Sequence, residues 1–472
     1  MNPRAHTDRI IHGWLLLAVF SLVFAGVFAL LVALARTPVL EDMLPLGRGH
    51  IYVALVGHVV LAVVIWFLAF QGFLWAHAST VDMERPVWSP ALGYAALGLC
   101  AAGTGLVAVS AIFGLGQAEL ANYVPVLQTP VFYAGLVLFA VGVTAHLINF
   151  AASIITAKSA GKTLPIAAFG MAVAGAGVFV AFLCFGLSAW FQFATNKAFL
   201  DFERLMWGGG HILQAVNTIA MVTAWIYLAR IIYGAEPVGS ALAKGLYASY
   251  LAFILPAPLI YFMYDTSSQA YKDSFTFIMR WGLGPSTAVF IIAIARWVIA
   301  RRGRGGRTRP WKDPGFSSLV LSMTVFVIGG VIALLIRGVN TKIPAHYHCA
   351  IGAVTIAFMG LFYEIAPRLG RELYSKRLAA IQPYLYSAGI LLFAAGLFLA
   401  GEHGVARKTY GSAQNLNSLG RLVGMSIMGI GGLVAISGGI TFVWNALLTL
   451  TRPARPALIE AQGQAEPGGA AL

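Results

Sequence analysis

The chain has 472 residues, 59% of them hydrophobic and only 10% charged, with a mean hydropathy of +0.81. Soluble domains carry about a quarter charged residues, so the composition excludes a soluble fold and predicts an all-α, polytopic membrane helical bundle. The net charge of +14 does not point to nucleic acid, because most basic residues lie in short loops, the pattern that orients membrane helices.

About 20 apolar residues are needed per bilayer crossing. On that measure twelve spans are predicted, near 13–35, 51–77, 91–115, 131–157, 166–193, 207–233, 241–264, 274–299, 316–337, 345–366, 382–401 and 424–450. The first is too long for the core of a signal peptide and reads as a retained span. Together they make one transmembrane domain over 1–455. The Ala-, Gly- and Pro-rich stretch 456–472 is expected to be a disordered cytoplasmic tail. An even count puts both termini on the same side. The run RRGRGGRTRPWK between spans eight and nine, and Arg368, Arg371, Lys376 and Arg377 after span ten, make that side cytoplasmic. A bacterial-type inner membrane is the expected location. Cys100, Cys184 and Cys349 all fall in apolar runs and form no CxxC or CxxCH motif.

In this orientation spans two, six and ten enter from the outer face and carry histidines in its half of the bilayer. His58 lies about two turns into span two, His211 about one turn into span six, and His346 and His348 open span ten. Ionisable side chains in a membrane are costly and by default functional. Residues at i and i+2 of a helix point to nearly opposite sides. The His-x-His pair therefore suits one axial ligand for each of two flat cofactors. His58 with His348 is expected to hold a low-spin haem, and His346 a high-spin haem whose other face is open. The competing reading of His58 is a packing histidine bonded to a carbonyl. Gly208, Gly209 and Gly210 precede His211, either for close approach to a non-haem metal ligand or for tight helix packing. Arg407 and Lys408, in GEHGVARKTY between spans eleven and twelve, either pair with haem propionates or form a solvated pair. His403 is expected to face solvent, and His50, His77 and His146 are given no role. Glu364 reads as an interfacial carboxylate or a proton-uptake group.

The whole pattern resembles subunit I of the haem-copper oxidase superfamily, with its oxygen and nitric oxide reductases. The resemblance rests on the span-two histidine, Gly210-His211, His346-Tyr347-His348 and GEHGVARK. FYEIAPRLGRELYS is similar to the end of span ten in the cbb-type branch, close to the nitric oxide reductases. It implies a low-spin haem on His58 and His348, a high-spin haem on His346, and His211 as one ligand of a copper or iron centre. The sequence also departs from the family. Span seven, where two adjacent histidines are normal, reads FILPAPLIYFMYDTSSQAY and has none, and Ala215 stands one turn after His211. Tyr261 or Tyr264 is the candidate for the cbb-type tyrosine. Asp265 is a candidate oxygen ligand, which would suit iron, or else a turn cap.

The expected function is the catalytic, haem-bearing subunit of a membrane respiratory reductase. Electrons pass from the low-spin to the high-spin haem and reduce a small gas, nitric oxide in preference to dioxygen. A cytochrome c or cupredoxin donor and a second subunit are the expected partners. An oxygen reductase and a haem-bearing electron-transfer or sensor subunit without catalysis are the alternatives. A twelve-span transporter is disfavoured because the two halves show no repeat.

Overall fold

The computed structural model describes residues 3–38, 40, 47–194, 200–301, 310–409 and 411–453. Part of the basic loop, 302–309, and the tail 456–472 lie outside the described residues. Apolar runs long enough to cross a bilayer must satisfy their backbone internally, so they become helices. Twelve such helices are present among the described residues: α1 Arg4–Arg36, α2 Gly49–Thr80, α3 Pro90–Ile112, α4 Pro130–Ser159, α5 Ile166–Ala194 and α6 Phe202–Tyr233, followed by α7 Ser240–Met263, α8 Gln269–Ala300, α9 Pro314–Leu334, α10 Lys342–Leu369, α11 Lys376–Glu402 and α12 Leu419–Thr451. They match the predicted spans one for one, and the chain is a multi-pass membrane protein.

Helix starts are the main difference. Helix α6 begins at Phe202 rather than 207, because Asp201 caps it by accepting from the Arg204 N–H at 3.1 Å. His211 is thus nine residues, about two and a half turns, into its helix. Ser89, Ser268, Asp313, Ser375 and Ser418 cap other helices in the same way. These polar first turns lie outside any hydropathy window.

Two helices form the centre. In their most apolar windows α6 is 94% buried and α10 83%, against 28% for α7 and 39% for α1. The candidate histidines of spans six and ten therefore sit on the most enclosed rods of the bundle. Helices α11 and α12 pack closely through glycines: a Cβ on Gly389, Gly396, Gly431 or Gly438 would strike backbone of the facing helix. Helix α2 contains a π-helical stretch, Val60–Ile65, directly after His58. Such bulges are frequent at functional sites. Between α3 and α4 the chain forms a short antiparallel hairpin, β1 Gln117–Glu119 and β2 Val126–Gln128, with Gln117 opposite Gln128. Its connection carries Leu120, Asn122 and Tyr123.

Candidate functional site

Three of the predicted histidines share one arrangement. His346 places Nδ1 2.8 Å from the carbonyl of Gly329 on α9. His348 places Nδ1 2.7 Å from the Pro344 carbonyl, one turn back on α10. In His58 the distance from Nδ1 to the Ala25 carbonyl of α1 is 3.1 Å. A carbonyl can only accept, so Nδ1 carries the proton in each ring. In the neutral imidazole the lone pair is then on Nε2, the tautomer and anchoring that metal-ligating histidines use. All three residues are half-buried. His58 and His348 lie close enough to interact electrostatically, and the His348 ring rests on Phe393 with centroids 4.6 Å apart.

His146 shows what a packing histidine looks like here. It is 2% exposed, lies against Trp14 and Trp75, and bonds the Gly72 carbonyl through Nε2 at 2.8 Å. Its Nδ1 is walled off without a partner. His77 is also buried, edge-on to Tyr227, while His50 and His403 are exposed.

His211 resembles His146 rather than the first three. It is 4% exposed; Nδ1 meets the Trp207 carbonyl at 2.7 Å and Nε2 meets the Tyr123 hydroxyl at 2.8 Å. The three glycines before it are occupied by aromatic rings. A Cβ on Gly208 would meet Tyr261 and Phe275, one on Gly209 would meet Phe185, and one on Gly210 would meet Tyr123. Tight packing thus accounts for them.

Span seven breaks at Pro256, with a 3-10 turn over Ala257–Leu259. Tyr261 is buried and accepts from the Tyr271 hydroxyl at 3.2 Å, whereas Tyr264 is 38% exposed. Asp265 is exposed, and its Oδ1 accepts from the Ser267 N–H at 2.7 Å and hydroxyl at 2.5 Å. Of the two roles considered for Asp265, ligand or turn cap, these contacts are those of a turn cap. Among the described residues no group of three or more His, Cys, Asp or Glu side chains converges to hold a metal.

Arg407 and Lys408 reach the hairpin connection. Arg407 Nη2 donates to Asn122 Oδ1 at 3.2 Å, and Lys408 Nζ donates to the Leu120 carbonyl. Burial, and then Arg407, push the Lys408 ammonium below its usual range, with Glu203 opposing. Glu203 accepts from the Asn122 N–H at 2.8 Å and side-chain amide at 2.5 Å. They are therefore not a solvated pair. Glu364 is half-buried against Gly315 at the start of α9.

Two residues of this region escaped the sequence reading. Arg36, the last residue of α1, lies within electrostatic reach of Tyr347, Tyr52 and His348. Its Nε and Nη2 are enclosed without a hydrogen-bond partner. A cation closing an apolar span was the available signal, since charged side chains within membrane helices are costly. Tyr123, brought to His211 by the hairpin, left no signal in its own loop.

Comparison with known proteins agrees with this architecture. The family described as "Cytochrome C and Quinol oxidase polypeptide I" matches residues 9–434. An uncharacterized protein of Rickettsia prowazekii is 27% identical over 93% of this chain and 96% of its own. An uncharacterized protein of Aquifex aeolicus is 29% identical over 80% and 89%. Cytochrome c oxidase subunit 1 of Thermus thermophilus is 27% identical over 38% of this chain and 35% of its own. In fold, the chain is similar to a haem-copper terminal oxidase dimer solved by cryo-electron microscopy, with a TM-score of 0.79 and 20% identity over 95% of this chain and 85% of that one. The chain belongs to the cytochrome c and quinol oxidase polypeptide I family, and is thus a membrane oxidoreductase of the haem-copper oxidase type.

Proposed function

We propose that the chain is the catalytic, haem-bearing subunit of a respiratory reductase, with His58 and His348 gripping one haem and His346 a second. The observation that carries this is the shared tautomer: three half-open imidazoles, each with Nδ1 fixed by a carbonyl and Nε2 left for a ligand. Haems held there would supply one-electron transfer and an iron open to a small gas. His346 and His348 leave α10 in nearly opposite directions, so each serves its own haem. The Arg36 guanidinium, buried beside His348 with two unpaired nitrogens, suits a haem carboxylate, because an unpaired buried charge is costly. Arg407 and Lys408 are the second candidates for that role.

Nitric oxide is favoured over dioxygen as substrate. Complete reduction of dioxygen needs several electrons and a proton delivered together, and the surroundings of His211 are poorly equipped for it. Ala215 stands one turn after His211, and both nitrogens of that ring are engaged. The same closure lends support to the second reading, a haem-bearing electron-transfer or sensor subunit. Electrons would arrive from a cytochrome c or cupredoxin, through a partner subunit, at the outer face where α2, α6 and α10 begin. Both termini then face the cytoplasm.

Optical and magnetic spectra of purified variants test the ligand set. His58→Ala and His348→Ala should each abolish the low-spin bis-histidine signal and spare most of the high-spin one. If both variants keep the normal bis-histidine signal, the assignment fails. Nitric oxide and oxygen consumption by the wild type then separates the reductase from the sensor.

A further inference from the structure

The family carries a copper or iron centre beside its open haem, and the expected ligand to it from this chain is His211. The residues present do not fit such a centre. Both ring nitrogens of His211 are already bonded, Nδ1 to the Trp207 carbonyl at 2.7 Å and Nε2 to the Tyr123 hydroxyl at 2.8 Å. Because Nδ1 faces a carbonyl, it is the protonated nitrogen, and Nε2 accepts the phenol proton. The atom that would coordinate a metal is the one that Tyr123 covers.

This contact is built into the chain rather than incidental. Tyr123 has φ +69°, and the Val124 N–H returns to the Asn122 carbonyl at 2.9 Å. That is a γ-turn with positive φ, a rare and strained form. A bulky residue in this region persists only where its surroundings hold it. Here they do. Glu203 accepts from both the backbone and side-chain N–H groups of Asn122, and Arg407 donates to its side-chain oxygen, Oδ1. Lys408 binds the Leu120 carbonyl. Gly210 removes the Cβ that would run into the phenol ring, and the ring lies 4.5 Å from the His211 ring, centroid to centroid. Both Tyr123 and Gly210 border a small cavity whose wall also includes Gln214 and Asn217 of α6 and Val63 and Val64 of the π-helical stretch.

We infer that the position the family gives to its non-haem metal is filled in this chain by a Tyr123–His211 hydrogen-bonded pair that holds no metal. The cavity is then bordered by the Tyr123 phenol, with the His211 imidazole behind it, both uncharged, in place of a metal cation. This deepens the haem-reductase reading and rests on it for the placement of His211.

The test is metal analysis of purified wild-type protein against its haem content measured as the pyridine haemochromogen. Total iron should equal haem iron, copper and zinc should be sub-stoichiometric, and His211→Ala should leave the metal content unchanged. One non-haem metal per chain that His211→Ala removes would overturn the inference. Infrared difference spectra of protein labelled with ring-13C tyrosine provide the second readout. A phenol band typical of donation to an imidazole should be present in the wild type and lost in both Tyr123→Phe and His211→Gln. Tyr123→Phe keeps the ring volume, so the haem spectra of that variant should be unaltered. Persistence of the same band in His211→Gln would also overturn the pair. Absence of a bis-histidine haem from the wild type would instead sink the underlying haem assignment, so the two failures are distinguishable.

Discussion

Gly329 has two tasks at once, and replacing it with alanine should expose both. Its carbonyl holds His346 Nδ1 at 2.8 Å, and its lack of a side chain lets α9 lie against α10. A Cβ at that position would sit 2.8 Å from Cys349 Cβ, and 3.3 Å from both Ala350 N and His346 O. Ordinary van der Waals contact begins at 3.4 Å, so α9 must withdraw by about 0.6 Å or α10 must give by as much. If the movement falls along the hydrogen bond, Nδ1 and the carbonyl separate to about 3.4 Å, where little bond is left. Overpacking of this kind costs about 1–3 kcal/mol of stability, and loss of a ligand's outer partner typically weakens metal binding by about 10–100-fold. Gly329→Ala should therefore fold, keep the His58–His348 haem, and lose much of the haem held by His346. The assay is the carbon monoxide difference spectrum of the reduced protein, which reads the open haem, set against the bis-histidine absorbance in the same sample. A variant with a full carbon monoxide signal and unchanged retention of that haem on dilution would refute the role given to Gly329.

Arg36→Met keeps the length of the side chain and removes the two unpaired donors; it should lower the midpoint potential of the bis-histidine haem or its retention, measured by spectroelectrochemistry on the purified protein. Tyr123 should keep its proton well above the ordinary phenol range, because burial raises its pKa, Glu203 adds to the effect and Arg407 opposes it. A raised pKa in the fold means that the contribution is fully present below the unfolded value near 10 and is lost as pH rises toward the folded value. Thermal stability of the wild type relative to Tyr123→Phe should therefore decline only above about pH 10, and a decline setting in near neutrality would contradict the burial.

What could be read from the residues depended on whether one helix or several had to be known. Span number follows from hydropathy, a property of each segment alone, and all twelve helices are where the apolar runs lie. Their starts do not follow, because caps such as Asp201 lie in polar sequence that hydropathy discards. His346 and His348 were legible because their spacing fixes their relative direction on a single helix. Their carbonyl partners were not, since Gly329 and Pro344 offer backbone atoms that carry no residue signature. Asp265 shows the converse: its pattern allowed a ligand or a cap, and the cap contacts to Ser267 are visible only in the folded turn. Tyr123 was the hardest case, because it meets His211 across 88 positions of sequence through a hairpin and a strained turn.

The histidines of the bundle divide by two conditions that must hold together for a cofactor ligand, a spare lone pair and access to it. His146 has an unpartnered nitrogen, yet it is sealed between Trp14 and Trp75. His211 has no spare nitrogen, since Trp207 and Tyr123 use both. His58, His346 and His348 alone of these five combine a protonated Nδ1 on a carbonyl with a half-open ring. Ionisable side chains inside a membrane bundle are costly and by default functional, and three open lone pairs on α2 and α10 call for something to bind them. On the proposed reading two haems would take up all three lone pairs, one through His58 and His348 and the other through His346. A single haem would leave at least one of these imidazoles without a partner, so the number of open nitrogens argues for two.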